Sequence, residues 1–267
     1  MRRLKKVAPL AFLALGAIVL LSGCLQSQTT VKVERDGSGQ VERTFVMKHE
    51  IIEMLAGMSG TTPAEFELYE DGELEEEAAS MGSGVTLRSV EQINNSFGLG
   101  YKAFFAFTDI NNLRINQNPG DSVPSGNPGE TTEELVAFSL DRGNPATLVV
   151  TMPQSEEDDG AEELDMGEAE GAPSSEELEG MTEFYRDMRI GFDIQVQGSI
   201  VDTTAAYRDG NTITLMDIDF NRILEDPEAT RRLIENQADS LIEVQELLQN
   251  TEGISVEFQE EVSVRFR

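Results

Sequence analysis

Residues 31–47 read VKVERDGSGQVERTFVM, and this stretch predicts a β-hairpin. Apolar and polar residues alternate on both sides of its centre, which is typical of two half-buried strands. At the centre, Asp36-Gly37-Ser38-Gly39 supplies the glycine that a tight turn needs at positive φ. The fold is therefore expected to begin with a pair of antiparallel strands.

The same kind of pattern predicts strands along the rest of the chain. They are expected at Gly84 to Asn94, Gly100 to Phe107, Leu135 to Leu140, Ala146 to Met152, Ile190 to Val196, Ile200 to Tyr207 and Thr212 to Phe220. The last segment alternates without a break from Ile254 through Phe258 to Phe266. It predicts one long strand of an antiparallel sheet.

Helices are predicted at several positions between these strands. A short one covers Ile51 to Leu55, and a longer one covers Pro63 to Met81, where proline suits the first turn. The longest runs from Asp226 to about Gln249, because Asp226-Pro227-Glu228 is a strong helix start. These elements predict an α+β fold: one mainly antiparallel sheet spanning both halves, with a long C-terminal helix and shorter helices packed on it.

Residues 154–177 differ in composition from the rest of the chain. Acidic residues crowd together there between Gly, Ala, Ser and Pro, without Lys or Arg. Such a segment buries too little apolar surface to offset its ordering entropy, so we expect a disordered linker or loop. It would divide one domain into 31–153 and 178–267. Weak calcium binding is the alternative, although the spaced ligands of a calcium loop are missing.

The chain begins with four cations and an apolar run from Val7 to Leu21. This pattern indicates an export signal, since the run is shorter than the roughly 20 apolar residues that cross a bilayer. Leu21-Ser22-Gly23-Cys24 resembles the lipobox of bacterial lipoproteins. The resemblance implies that residues 1–23 are removed and that Cys24 is lipidated, with 24–30 as a short polar tether. An ordinary secretory leader is the alternative.

The charge of the chain limits its partners. The formal net charge is −30, and about −34 without the leader cations. Such a surface repels nucleic acid and anionic headgroups, so the anchor at Cys24 is expected to be the sole attachment to the membrane. In Gram-negative lipoproteins an aspartate after the cysteine usually retains the protein in the inner membrane. Leu25 therefore resembles outer-membrane sorting, if the organism has two membranes.

The sequence offers few residues for chemistry. His49 is the sole histidine and Cys24 the sole cysteine, so the usual zinc, copper and iron sites are excluded and no cofactor is expected. His49 is interpreted as a surface or helix-start residue. Asp217 and Asp219 lie two apart at a strand end and could hold a hard cation, but a structural role is the stronger interpretation. No catalytic residue is predicted.

Phenylalanine and methionine are the other notable residue types. Most of them fall on inward positions of predicted strands, where they pack a core. The alternative is an apolar cavity between the sheet and the C-terminal helix, able to hold a lipid or an acyl chain.

Two stretches, residues 30–39 and 198–214, are similar to parts of the uncharacterised lipoproteins grouped around the mycobacterial LppM domain. The first is the hairpin described above, and the second contains Gly198-Ser199-Ile200-Val201-Asp202 and the turn Asp209-Gly210-Asn211. The resemblance implies an α+β envelope domain with lipid-binding character and no established catalysis.

From these observations we expect a non-enzymatic, lipid-anchored envelope protein that binds an apolar ligand or an envelope component. A structural or scaffolding lipoprotein that docks protein partners is one alternative. A hydrolase based on paired carboxylates is the other, and the absence of tryptophan argues against a sugar site of that kind.

Overall fold

The computed structural model describes residues 25–63, 65–66, 68–69, 72–116, 135–152, 182, 185–230, 251 and 253–267. The predicted leader (1–23), Cys24 and the acidic linker (154–177) lie outside the described residues. So does most of the long helix predicted at 226–249.

The described residues form thirteen strands and three short α-helices. The strands are β1 (Leu25–Val33), β2 (Gly39–Lys48), β3 (Thr86–Asn94), β4 (Gly98–Phe107), β5 (Arg114–Asn116), β6 (Leu135–Asp141), β7 (Ala146–Thr151), β8 (Arg189–Val196), β9 (Ile200–Thr203), β10 (Arg208–Asp209), β11 (Thr212–Asp219), β12 (Ile254–Val256) and β13 (Glu261–Phe266). The helices are α1 (His49–Ser59), α2 (Glu73–Ser80) and α3 (Phe220–Glu225), and Ile110–Asn112 form a 3-10 turn.

The strands make two sheets, where one was predicted. The first has the order β10-β11-β8-β1-β2-β4-β3, with β12 paired to β11, and the second has the order β5-β6-β7-β13-β9. β1 and β8 are parallel, and the other described pairs are antiparallel. Each sheet combines strands from before and after the acidic segment. One continuous core contains side chains of both sheets, such as Val41 and Phe105 from the first and Leu148 and Val264 from the second.

The hairpin predicted from residues 31–47 is confirmed. β1 and β2 pair from Leu25 opposite Met47 to Val33 opposite Gly39. In the turn, Gly37 has a φ of 88°, and the Asp36 side chain accepts a hydrogen bond from the Ser38 N–H at 2.9 Å. Only glycine adopts this φ without strain, which is why the Asp-Gly pair predicted the turn correctly.

The predicted α+β class is wrong, because the described chain is mainly β. The longest helix among the described residues is α1, with 11 residues, and no long C-terminal helix is among them. α3 ends before Asp226, whose backbone is extended at φ −101° and ψ 110°. Asp226 does begin a new helical turn as predicted, since its carboxylate accepts from the Glu228 N–H at 2.9 Å.

The helix predicted from Pro63 to Met81 is also shorter than expected. α2 begins only at Glu73, directly after Gly72, whose φ of 93° interrupts a helix. The acidic stretch at 73–77 forms most of this helix, and Glu77 lies against the sheet beside the largely buried Arg43. Local helix propensity was therefore outweighed by contacts with the sheet.

The C-terminal segment is two strands rather than one. β12 belongs to the first sheet and β13 to the second, and residues 257–260 cross between them. At the crossing Glu257 is buried, with 5% exposed, while Phe258 is half-buried. The Glu257 carboxylate accepts hydrogen bonds from the Ala206 N–H at 2.7 Å and from the Gln259 amide at 3.0 Å. Alternation alone could not reveal the crossing, because the apolar residues fall on even-numbered positions both before it, as at Val256, and after it, as at Val262.

Candidate functional site

The described residues line an open cavity of about 760 Å³ at one end of the first sheet. It lies between the segment that follows α1 and the adjoining ends of β3 and β4. Its lining residues are His49, Pro63, Glu65, Phe66, Leu68, Tyr69, Gln92, Ile93, Asn94, Leu99 and Gly100.

Apolar side chains form the inner part of this cavity. Leu68 is buried, and Phe66, Tyr69 and Leu99 are partly buried against the main core. The ring of Tyr69 meets Tyr101 edge-on, with centroids 5.1 Å apart. The inner wall is therefore continuous with the packed interior of the sheet.

Polar groups supply the remainder of the lining. Nε2 of His49 lies 3.0 Å from the backbone oxygen of Asn95, and the Glu65 carboxylate accepts from the Thr62 hydroxyl at 2.8 Å. Gln92 and Asn94 add amide groups. His49 is the first residue of α1, so its interpretation as a helix-start residue is confirmed. The cavity thus offers apolar surface beside polar groups, which include the Glu65 carboxylate.

A buried ion pair stiffens the structure behind the cavity. Arg43 of β2 donates a hydrogen bond to the Glu77 carboxylate of α2, with side-chain exposures of 9% and 19%. Burial raises the pKa of Glu77 by more than the Arg43 guanidinium lowers it. Burial also raises the pKa of Tyr101, which lies between this pair and Tyr69. The phenol is therefore neutral and suited to packing.

The cavity lies at the same end of the sheet as the predicted lipidation site. Leu25, Met47 and Leu99 are aligned in one row across β1, β2 and β4, and Asn94 continues the row on β3. With strands about 4.8 Å apart, Leu99 lies about 10 Å from Leu25, the residue that follows Cys24.

Residues 25–30 of the segment predicted as a tether form part of β1. β1 begins at Leu25, which is 3% exposed, and pairs with both β2 and β8 from its first residues onward. A strand explains the polar sequence of this segment, because its outward side chains remain in contact with solvent. Cys24 therefore immediately precedes a fixed part of the sheet.

The candidate cation pair is used within the fold. The two oxygens of Asp217 each accept from Arg189 at 3.0 Å, and Asp219 caps α3 by accepting from the Asn221 N–H at 3.0 Å. The structural interpretation of both residues is therefore confirmed. In the part of the chain that the structure describes, no group of three or more His, Cys, Asp or Glu side chains could hold a metal ion.

The aromatic and methionine side chains mostly pack the core, as predicted. Phe45, Met47, Phe105 and Phe266 are almost fully buried. The cavity predicted between the sheet and the C-terminal helix cannot be located, because most of that helix lies outside the described residues. Residues Phe66 to Tyr69 were missed as a cavity wall because they were assigned to a helix, and their apolar character was the signal available.

Comparison with known proteins adds little to this geometry. No family model and no curated protein matches the chain. Among solved structures, it is similar to the NMR structure of the folded domain of the Mycobacterium tuberculosis LppM protein, with 9% sequence identity and a TM-score of 0.37. The match covers 92% of this chain and 91% of that chain. The resemblance to this family is supported as a weak structural likeness.

None of the helices in the described residues has the length and apolar character needed to cross a membrane.

Proposed function

We propose that this chain is a non-enzymatic lipoprotein of the cell envelope, anchored through Cys24, whose cavity binds the acyl part of an amphiphilic lipid. The observation that carries the proposal is the position of the cavity, about 10 Å from the start of β1 and therefore close to the anchor. In an organism with two membranes, Leu25 favours sorting to the outer one.

The size and lining of the cavity support a lipid-like ligand. Its volume of about 760 Å³ lies within the range of roughly 300–1,000 Å³ typical of small-molecule sites. Phe66, Leu68 and Leu99 provide apolar surface for a hydrocarbon chain. Gln92 and Asn94 can hydrogen-bond to an ester or hydroxyl group at the end of that chain.

The absence of catalysis is part of the proposal. Asp217 and Asp219 already bind Arg189 and the start of α3, so neither is free to act as an acid or a base. His49 is held against the oxygen of Asn95 and is not paired with a nucleophile among the described residues. Binding therefore accounts for the cavity more simply than hydrolysis does.

Native mass spectrometry of the lipidated protein, purified from membranes, tests the ligand. We expect a non-covalent lipid adduct on the wild type that is absent after denaturation. Leu99→Trp places an indole in the cavity and should reduce the adduct several-fold. Leu87→Trp is the matched control, because Leu87 is also partly buried against the core but does not line the cavity. Unfolding temperatures within a few degrees of wild type would show that both variants are folded.

An equal adduct on both variants would show non-specific lipid and contradict the proposal. No adduct on a folded wild type would instead favour the scaffolding alternative, in which the exposed edge strand β3 docks a protein partner. The anchor has its own test: metabolic labelling with an alkyne fatty acid should mark the wild type and not Cys24→Ala.

A further inference from the structure

The strand β3 forms one edge of the first sheet, and it is the longest free edge among the described residues. Its nine residues pair with β4 on one side. The other strands of the described chain that have a partner on only one side are β5, β9, β10 and β12, with two to four residues each. A free edge presents unpaired backbone N–H and C=O groups to which another extended strand can bind.

A β-bulge lies within this edge strand. Arg88 is an extra residue of β3, because the register with β4 shifts between Leu87 and Ser89. At a bulge, two residues of one strand oppose a single residue of its partner, so Arg88 and Ser89 lie together opposite Phe104. The bulge therefore moves every residue after Arg88 by one position relative to β4.

This shift places two opposite charges on the same face of β3. Glu91 pairs with Lys102, and the Lys102 ammonium lies 5.0 Å from the centre of the Phe104 ring, so Lys102 and Phe104 share a face. Arg88 and Glu91 then share that face as well. Both side chains are exposed, and within the described part of the chain neither forms an ion pair.

We infer that two copies of this chain associate by antiparallel pairing of their β3 strands, with the two Val90 residues opposite each other on a two-fold axis. In this register Glu91 of each copy lies opposite Ser89 of the other and next to its Arg88. The pairing therefore adds two ion pairs to the backbone hydrogen bonds. This inference goes beyond the proposed function and depends on neither the anchor nor the cavity.

Charge selects this register over its neighbours. A two-fold axis perpendicular to the sheet keeps every side chain on its own face, so the axis must pass through a residue position. An axis at Glu91 would bring two carboxylates directly opposite each other, and an axis at the bulge would do the same with two Arg88 side chains. Both arrangements are destabilising. Charges on an edge usually discourage pairing, but here they oppose the neighbouring registers and match the one centred on Val90.

Sedimentation velocity of the intact protein in detergent tests this pairing. At physiological salt, where charge repulsion is screened beyond about 8 Å, we expect a monomer–dimer equilibrium for the wild type. Arg88→Glu and Glu91→Arg should each weaken the dimer at least about tenfold, because each places like charges together at two points. An equimolar mixture of the two variants should regain the wild-type affinity, since one copy is then acidic at both positions and the other is basic at both.

Glu53→Arg is the matched control, because Glu53 is exposed on α1 and its replacement changes the net charge as Glu91→Arg does. Both variants reduce the overall repulsion between two strongly acidic chains. Glu53→Arg should therefore leave the dimer unchanged or strengthen it, while Glu91→Arg weakens it. A wild type that is monomeric at every concentration, or a mixture that associates no better than its two components, would overturn the inference.

Disulfide cross-linking tests the register itself. Val90→Cys should give an oxidised dimer, because the two Cβ atoms at the axis would lie about 4.5–5.5 Å apart. Thr86→Cys should not, because its two copies would lie six strand positions, or about 20 Å, apart. Wild-type protein, in which Cys24 is the sole cysteine, gives the baseline. Equal cross-linking at positions 86 and 90 would show that this register is wrong.

Discussion

Replacement of Arg43 by methionine should destabilise the fold strongly, and a second substitution should restore most of the loss. The ion pair between Arg43 and Glu77 is 9% and 19% exposed at the two side chains, so it belongs to the buried class. Removing one partner of such a pair costs about 3–5 kcal/mol, because the other charge remains desolvated. Arg43→Met should therefore lower the free energy of unfolding by that amount near neutral pH.

The double variant Arg43→Met/Glu77→Leu removes both charges together. Burial raises the pKa of Glu77 in spite of Arg43, so desolvation of the carboxylate opposes the attraction between the two charges. Two apolar side chains of similar size should then cost less than about 1 kcal/mol relative to wild type. The coupling energy from the four unfolding curves should accordingly be several kcal/mol.

The cost of Arg43→Met should depend on pH with a defined sign. A carboxyl with a raised pKa contributes stability that is present below its unfolded value, near 4.5, and is lost as the pH rises through the raised value. Without the Arg43 guanidinium the pKa of Glu77 is higher still, so the variant continues to lose stability up to a higher pH than the wild type does. The stability difference between wild type and Arg43→Met should thus be larger at about pH 8 than at about pH 4.5.

Urea unfolding followed by circular dichroism measures these free energies. Glu225→Gln is the control, because its pair with Arg222 is exposed at 67% and 53% and should change stability by about 0.5 kcal/mol or less. If Arg43→Met costs no more than this control, or if the two single losses add in the double variant, the pair is not buried in solution. The contact of α2 with the sheet would then be wrong.

Three further predictions concern other polar contacts. Burial alone would raise the pKa of Glu42, but hydrogen bonds and charges from Lys32 and Lys102 outweigh burial and lower it. The loss of stability in Glu42→Gln should therefore be present at neutral pH and vanish as the pH falls well below 4.5. A loss of stability that persists in acid would contradict this prediction. Glu257→Ala leaves the Ala206 N–H without its acceptor and should cost about 1–3 kcal/mol in urea unfolding, whereas the exposed Glu260→Ala should cost almost nothing. Asp219→Ala removes the cap of α3 and should cost about 1 kcal/mol, and full recovery by Asp219→Asn would show that the hydrogen bond rather than the charge is responsible.

The sequence predicted those parts of the fold that depend on neighbouring residues. The hairpin at 31–47 was correct because alternation and an Asp-Gly turn specify it locally. The strands β6 and β7 were also predicted correctly, from their alternation and composition. The failures all depend on distant partners. Residues 257–260 cross between sheets because β11 and β7 lie in different layers, and no local pattern near Phe258 shows this.

The candidate site illustrates the same limit. Leu99 and Asn94 are close to Leu25 only because β4 and β3 follow β2 in the sheet, an order that the sequence leaves open. The polar residues after Cys24 suggested a tether, since Gln and Thr are common in linkers, yet here Gln26, Gln28 and Thr30 alternate with buried positions of β1. Strand pairing, and not composition, decides that this segment is fixed.

The loss of the tether changes what the predicted anchor implies. A flexible linker would let the domain turn freely above the membrane, and the position of the cavity would then have no meaning for ligand entry. With β1 starting at Leu25, the row from Leu25 to Asn94 forms one end of the sheet, and the proposed anchor would be attached directly to that end. The cavity lies at that end. The same short connection therefore supports the proposed lipid ligand, which the mass-spectrometric experiment tests.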